Sequence, residues 1–149
     1  MSKPTPDAID LDPSTSAASE DYLEQILNLI TEKGYARVID IANNLEISQA
    51  SVTNMVQRLA GEGLVVYEKY RGMALTPAGE RIAQAIIQRH QTLASFLQLF
   101  GLDELDIHRD VEGMEHHVSS PTLRVFQALV EELRKQPKLV ERVVAKAKS

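Results

Sequence analysis

Apolar residues recur along this chain first at helical and then at strand intervals. Tyr22, Leu23, Ile26, Leu27, Leu29 and Ile30 keep to one side of a 3.6-residue period, which predicts a helix from about Ser19, with Lys33-Gly34 as its stop. Residues 1–18, with Pro4, Pro6 and Pro13 among Ser, Thr and Ala, carry no such period and read as a flexible tail. Val38, Ile41, Ala42 and Leu45 predict a short helix over 38–45, and Glu46-Ile47-Ser48 a tight connection. Ser48 can cap a third helix over 49–61, in which Val52, Met55, Val56 and Leu59 face inward, with Gly61 and Gly63 ending it. The period then shortens: Leu64–Glu68 and Met73–Leu75, joined through Lys69–Gly72, read as a β-hairpin. Thr76-Pro77 opens a long helix that carries Ile82, Ala83, Ile86, Ile87, Leu93, Phe96, Leu97 and Leu99 and stops at Gly101. Helical spacing continues over about 105–118, 121–135 and 138–148.

Helix, tight turn, helix and hairpin, in that order, describe a winged helix-turn-helix. The expected fold is therefore mainly α: a flexible tail (1–18), an N-terminal winged helix-turn-helix (19–76), a linking helix (77–100), and a C-terminal all-helical half (101–149). The third helix is the candidate reader of the major groove. Its outward positions Gln49, Ala50, Ser51, Thr53, Asn54, Gln57 and Arg58 offer amides for adenine, a guanidinium for guanine, methyls for thymine and hydroxyls for phosphate. Lys69 and Arg71 at the wing tip are candidates for backbone or minor-groove contact, and Arg37, ahead of the second helix, is a further candidate DNA contact.

Net charge qualifies this picture without overturning it. The formal charge is −5, unusual for a DNA-binding chain. Residues 1–30 hold one Lys against six Asp and Glu, whereas residues 31–90 hold seven Lys and Arg against six acids. The excess therefore lies ahead of the reading segment. No apolar run nears the roughly 18–20 residues that span a bilayer, so no membrane partner is expected. The absence of cysteine excludes disulfides and thiolate metal sites and fits a cytoplasmic location.

The stretch Asp110-Val111-Glu112-Gly113-Met114-Glu115-His116-His117 carries the chemistry. On a helix, Glu112, Glu115 and His116 fall at i, i+3 and i+4 and project from one face, where two carboxylates repel unless a cation lies between them. Asp21 and Glu24 share a face of the first helix, and His90 lies on the linking helix. Three helices can thus bring six donors to one centre. Carboxylate oxygen with some imidazole suits Mn²⁺ better than a soft-ligand metal, and shared carboxylates allow two ions per subunit. His117 projects about 100° away from His116 and reads as surface, as does His108.

Asp21-Tyr22-Leu23-Glu24-Gln25-Ile26, Glu32-Lys33-Gly34-Tyr35-Ala36-Arg37-Val38, Tyr67-Glu68-Lys69-Tyr70-Arg71-Gly72 and the Asp110–His117 stretch are the places where the chain resembles the manganese regulators of the diphtheria toxin repressor family. The resemblance runs from about Asp21 to Leu133. It implies a Mn²⁺-dependent repressor of manganese transport genes, acting as a homodimer on a palindromic double-stranded DNA operator, with Asp21, Glu24, His90, Glu112, Glu115 and His116 as metal ligands. It also implies Mn²⁺ rather than Fe²⁺, because iron-type members place sulfur ligands where this chain has Asp21 and Glu112. Their ancillary metal site has a carboxylate where this chain has Ala94. Their SH3-like C-terminal domain is not expected here. The predicted dimer surface is the apolar spacing of Leu123, Phe126, Leu129, Val130 and Leu133, with packing inside one subunit as the alternative.

No enzymatic activity and no small organic substrate is expected. A single Glu-and-His cluster, in a chain whose helices are interrupted by a wing hairpin, is not the doubled motif of a dimetal bundle enzyme. The competing expectations are a metal-independent winged-helix regulator with an organic effector and a cytosolic metal buffer.

Overall fold

The structure, a computed structural model, describes residues 15–68 and 70–149. The expected tail up to residue 14, and Lys69, lie outside the described residues. The chain forms two units that meet in sequence between Ile86 and Ile87.

In the first unit, helix α1 spans Ala17–Lys33. It starts two residues before the expected point because Ser16, not Ser19, is the cap: its hydroxyl accepts from the Ser19 amide at 3.2 Å. Ser19 is buried instead. Gly34 ends the helix in a left-handed conformation (φ +82°), its N–H reaching Ile30 O. Helices α2 (Val38–Leu45) and α3 (Gln49–Gly61) have the predicted limits, and Ser48 caps α3 through the Ser51 amide at 3.1 Å.

Strands β1 (Val65–Glu68) and β2 (Gly72–Leu75) pair antiparallel, with Val65 opposite Leu75 and Tyr67 opposite Met73. Ala36, between α1 and α2, forms a bridge to Met73, whose N–H donates to Ala36 O at 2.8 Å. This close approach needs Gly72, where a Cβ would stand 2.2 Å from Ala36 O. The core gathers Leu23, Ile26 and Leu29 of α1, Ile41 of α2, Val52, Val56 and Leu59 of α3, and Val65 and Met73 of the hairpin. Burying one such aliphatic side chain contributes roughly 1.5–3 kcal/mol, so the wing is held to the helices by the same core that holds them to one another.

Helix α4 (Pro77–Leu99) begins in this unit. The Thr76 hydroxyl donates to Gly63 O at 2.7 Å and accepts from the Gly79 amide at 3.1 Å, which fixes the start of α4 to the end of α3.

The second unit contains the rest of α4, with α5 (Glu104–Met114), α6 (Ser120–Arg134) and α7 (Pro137–Lys148). Leu93, Ile107 and Val111 form its core, with Leu97 and Phe126 packed on them and the Phe96 and Phe126 rings edge to face at 5.1 Å. Helix α5 is shorter than expected. Glu115 keeps helical angles and its N–H reaches Val111 O, but the His117 N–H turns back to Met114 O at 3.0 Å. The chain leaves the helix there so that Ser119 can cap α6 ahead of Pro121. The apolar spacing of α6 divides. Leu123, Val130 and Leu133 are buried within one chain, whereas Leu129 (41% exposed) and its neighbour Val125 (65%) face outward. Helix α7 buries no residue.

Candidate metal centre and nucleic-acid interface

Helix α4 presents His90 and the end of α5 presents Glu112 and Glu115; one ligand atom from each lies within 4.8 Å of the other two. Three different environments result. Glu112 is exposed, His90 is partly exposed, and the Glu115 side chain is wholly buried. Glu115 Oε2 stands 2.8 Å from His90 Nδ1. An ionised carboxylate can only accept, so with Glu115 charged the donor of this pair is the His90 Nδ1–H.

The other oxygen, Glu115 Oε1, is buried with no hydrogen-bond partner. His116 Nε2 stands 3.6 Å away, too far for a hydrogen bond. A buried polar atom without a partner costs about 1–3 kcal/mol, more where it carries charge. A cation in contact with Oε1 offsets that cost, and the surrounding donors are imidazole nitrogen and carboxylate oxygen. The residues present therefore fit a divalent ion of hard to intermediate character.

Asp21 and Glu24 lie in the first unit, both partly buried and one turn apart on α1. Asp21 lines a cleft of about 650 Å³ together with Tyr22, Ile47 and four residues of α3, Ser51, Asn54, Met55 and Arg58. Burial of Tyr22 at the edge of the core raises its phenol pKa above the ordinary value. His108 and His117 are exposed.

On the reading side, Gln49, Ser51, Thr53, Asn54, Gln57 and Arg58 are all exposed along α3. Two of them have local partners. The Ser51 hydroxyl sits 2.9 Å from that of Ser48, and Arg58 Nε donates to Glu62 at 3.2 Å. Arg71 is exposed at the wing tip, 3.9 Å from Glu68. Arg37 is exposed and stacks on the Tyr35 ring, its guanidinium carbon 4.6 Å from the ring centre. Tyr35 and Arg37 flank Ala36, the residue bridged to Met73, so the wing and the Arg37 platform share one backbone hydrogen bond.

Two features escaped the sequence reading. One is the Ala36 bridge, for which a lone alanine between polar neighbours gives no periodic signal. The other is Arg89, which is 6% exposed and donates through Nη1 to Glu115 O at 3.3 Å. A signal for Arg89 did exist: it falls three residues after Ile86 and four before Leu93, in line with the buried stripe of α4.

Comparison with known proteins places this geometry among relatives. Residues 14–73 match the description "Iron dependent repressor, N-terminal DNA binding domain", and residues 76–141 match "Iron dependent repressor, metal binding and dimerisation domain". The chain is 48% identical over 126 residues to the HTH-type transcriptional regulator MntR of Lysinibacillus sphaericus, covering 85% of this chain and 91% of that protein. It is 57% identical over 100 residues to the MntR of Geobacillus kaustophilus, covering 67% and 71%. Among solved structures, the manganese regulator SloR superposes with a TM-score of 0.68 at 28% identity, over 76% of this chain. This chain spans about half (53%) of the SloR chain.

Proposed function

The chain belongs to the iron-dependent repressor family, and on that premise we propose that it is a manganese-responsive transcriptional repressor that binds a palindromic DNA operator as a homodimer. Its six metal ligands in this reading are Asp21, Glu24, His90, Glu112, Glu115 and His116, holding a pair of Mn²⁺ ions per subunit. Its DNA contacts are Arg37, Gln49, Ser51, Thr53, Asn54, Gln57, Arg58, Lys69 and Arg71. The observation that carries the metal reading is Glu115: a buried carboxylate with one oxygen on His90 and the other without a hydrogen-bond partner. The donor set of oxygen and imidazole nitrogen, without sulfur, supports manganese, as does the likeness to a manganese regulator.

A pair of bound Mn²⁺ ions would supply the positive charge that lets the four carboxylates share one centre. Without it, the Glu112 and Glu115 carboxylates repel each other. Unit charges within 4.8 Å repel by about 3 kcal/mol or more at an effective dielectric near 20. Asp21 and Glu24 are the reading unit's share of the ligands. They sit on α1, whose Leu23 and Ile26 pack into the core that also holds α3 and the wing. Fixing α1 therefore fixes the reading surface as a whole. An ordering step completed before DNA arrives is a coupling free energy, typically ~1–3 kcal/mol. The side chains on α3 select bases, and the metal ligands select the competent arrangement.

No helix among the described residues is long and apolar enough to cross a membrane, which accords with the cytoplasmic location we propose. Calorimetric titration of the metal-free chain with Mn²⁺ tests the reading. Saturable binding that is lost in Glu115→Ala and His116→Ala, with the helical circular dichroism of both variants intact, is the expected result. Undiminished binding in both variants would place the ions elsewhere.

A further inference from the structure

Arg89 occupies a position that the pattern of α4 reserves for an apolar side chain. Among the described residues it is the one buried base. Burying a guanidinium costs several kcal/mol unless its surroundings compensate, so a buried arginine calls for a reason. Its hydrogen bond runs from Nη1 to the main-chain carbonyl of Glu115. The next residue on the helix, His90, holds the carboxylate of that same glutamate through Nδ1. Consecutive residues of α4 thus grip Glu115 at two points, one on its backbone and one on its side chain.

The backbone grip has a wider reach than the side-chain one. The carbonyl of Glu115 lies in the peptide plane that joins it to His116. Holding that oxygen sets the orientation of the plane, and with it the direction in which both Cα–Cβ bonds leave the chain. The same carbonyl lies where α5 ends, among the last groups of a helix that lack an intrahelical partner and where a cation is electrostatically favoured.

We propose that Arg89 is a positioning residue of the metal centre: it holds the Glu115–His116 corner in the orientation that aims both side chains at the ion. The inference rests on the metal reading above. Groups that orient ligands without touching the ion typically govern metal affinity by ~10–100-fold.

The experiment uses the full chain with Arg89→Met, Arg89→Gln and Arg89→Lys, and Mn²⁺ itself as probe. Affinity is read by calorimetry, coordination by electron paramagnetic resonance of bound Mn²⁺, and stability by thermal unfolding of the metal-free protein. The two neutral variants are expected to fold, to bind Mn²⁺ about 10–100-fold more weakly, and to change the resonance line shape. Arg89→Lys, which keeps a charged donor, is expected to recover part of both. Neutral variants with wild-type affinity and line shape would overturn the inference. So would neutral variants that fail to fold, or that lose stability with an unaltered line shape, since Arg89 would then serve the unit alone. A wild-type chain that takes up no Mn²⁺ would instead remove the metal reading, a result distinct from either.

Discussion

Gly34 and Gly72 both have positive φ (+82° and +92°) and differ in their surroundings, so the pair measures what the Ala36 bridge contributes. A Cβ at Gly34 would meet nothing within 4 Å, whereas at Gly72 it would stand 2.2 Å from Ala36 O. Gly34→Ala should therefore cost only the left-handed penalty of an L residue, roughly 1–2 kcal/mol. Gly72→Ala incurs the same penalty and must also displace Ala36 from Met73. That step loses a hydrogen bond of 2.8 Å, worth about 1 kcal/mol. It also strains a close-packed pair in which Ala36 and Met73 are both buried, adding roughly 1–2 kcal/mol. The expected totals are about 1–2 kcal/mol for Gly34→Ala and about 3–5 kcal/mol for Gly72→Ala. Urea unfolding followed by tyrosine fluorescence is the assay. The chain lacks tryptophan, and all four tyrosines (Tyr22, Tyr35, Tyr67 and Tyr70) lie in the reading unit, so the signal reports that unit. Equal destabilisation by the two substitutions would refute the reasoning, because the wing would then be free to shift away from Ala36 without loss.

Other expectations follow from the same geometry. Glu115→Gln keeps a hydrogen bond to His90 and removes a buried charge, so it should change the stability of the metal-free protein by no more than about 1 kcal/mol while weakening Mn²⁺ binding severely; urea midpoints and calorimetry check the two halves separately. Tyr22 holds its proton more tightly when folded than when unfolded. Its contribution is therefore complete below the unfolded value near 10 and is lost as pH rises through the raised folded value, so Tyr22→Phe should flatten the loss of stability above pH 10 in alkaline unfolding curves. Tyr35→Ala frees the stacked Arg37 and should weaken DNA binding similarly on all sequences, whereas Gln57→Ala should weaken specific sites more than random DNA; fluorescence anisotropy on both kinds of duplex separates the effects.

Legibility in the sequence followed the physics of each element. Helix α3 was readable because an apolar stripe, the Ser48 cap and Gly61 and Gly63 agree there, and α2, which has no side-chain cap, was readable from its apolar stripe alone. The start of α1 was not, because the apolar stripe begins only at Tyr22, whereas the helix starts from the Ser16 cap a turn and a half earlier. The end of α5 was overrun because Glu115 keeps helical angles and the turn at His117 serves the cap of the next helix. Periodicity could not divide the α6 stripe into the buried Leu123, Val130 and Leu133 and the exposed Leu129, since both faces carry apolar residues. Of the candidate centre, the Glu112 and Glu115 spacing was visible as two carboxylates on one helical face. Arg89 stayed hidden because a charged residue on a helix is ordinarily assigned to solvent.

The proposed repressor binds DNA under the control of Mn²⁺, and anisotropy of a labelled duplex, selected from random sequence by the chain in the presence of Mn²⁺, reads that control out. Measured at one fixed salt concentration, Mn²⁺ should tighten binding of that duplex by roughly 5–150-fold over the metal-free chain, and Glu112→Ala should remove the difference. Equal affinity with and without Mn²⁺ would contradict the account.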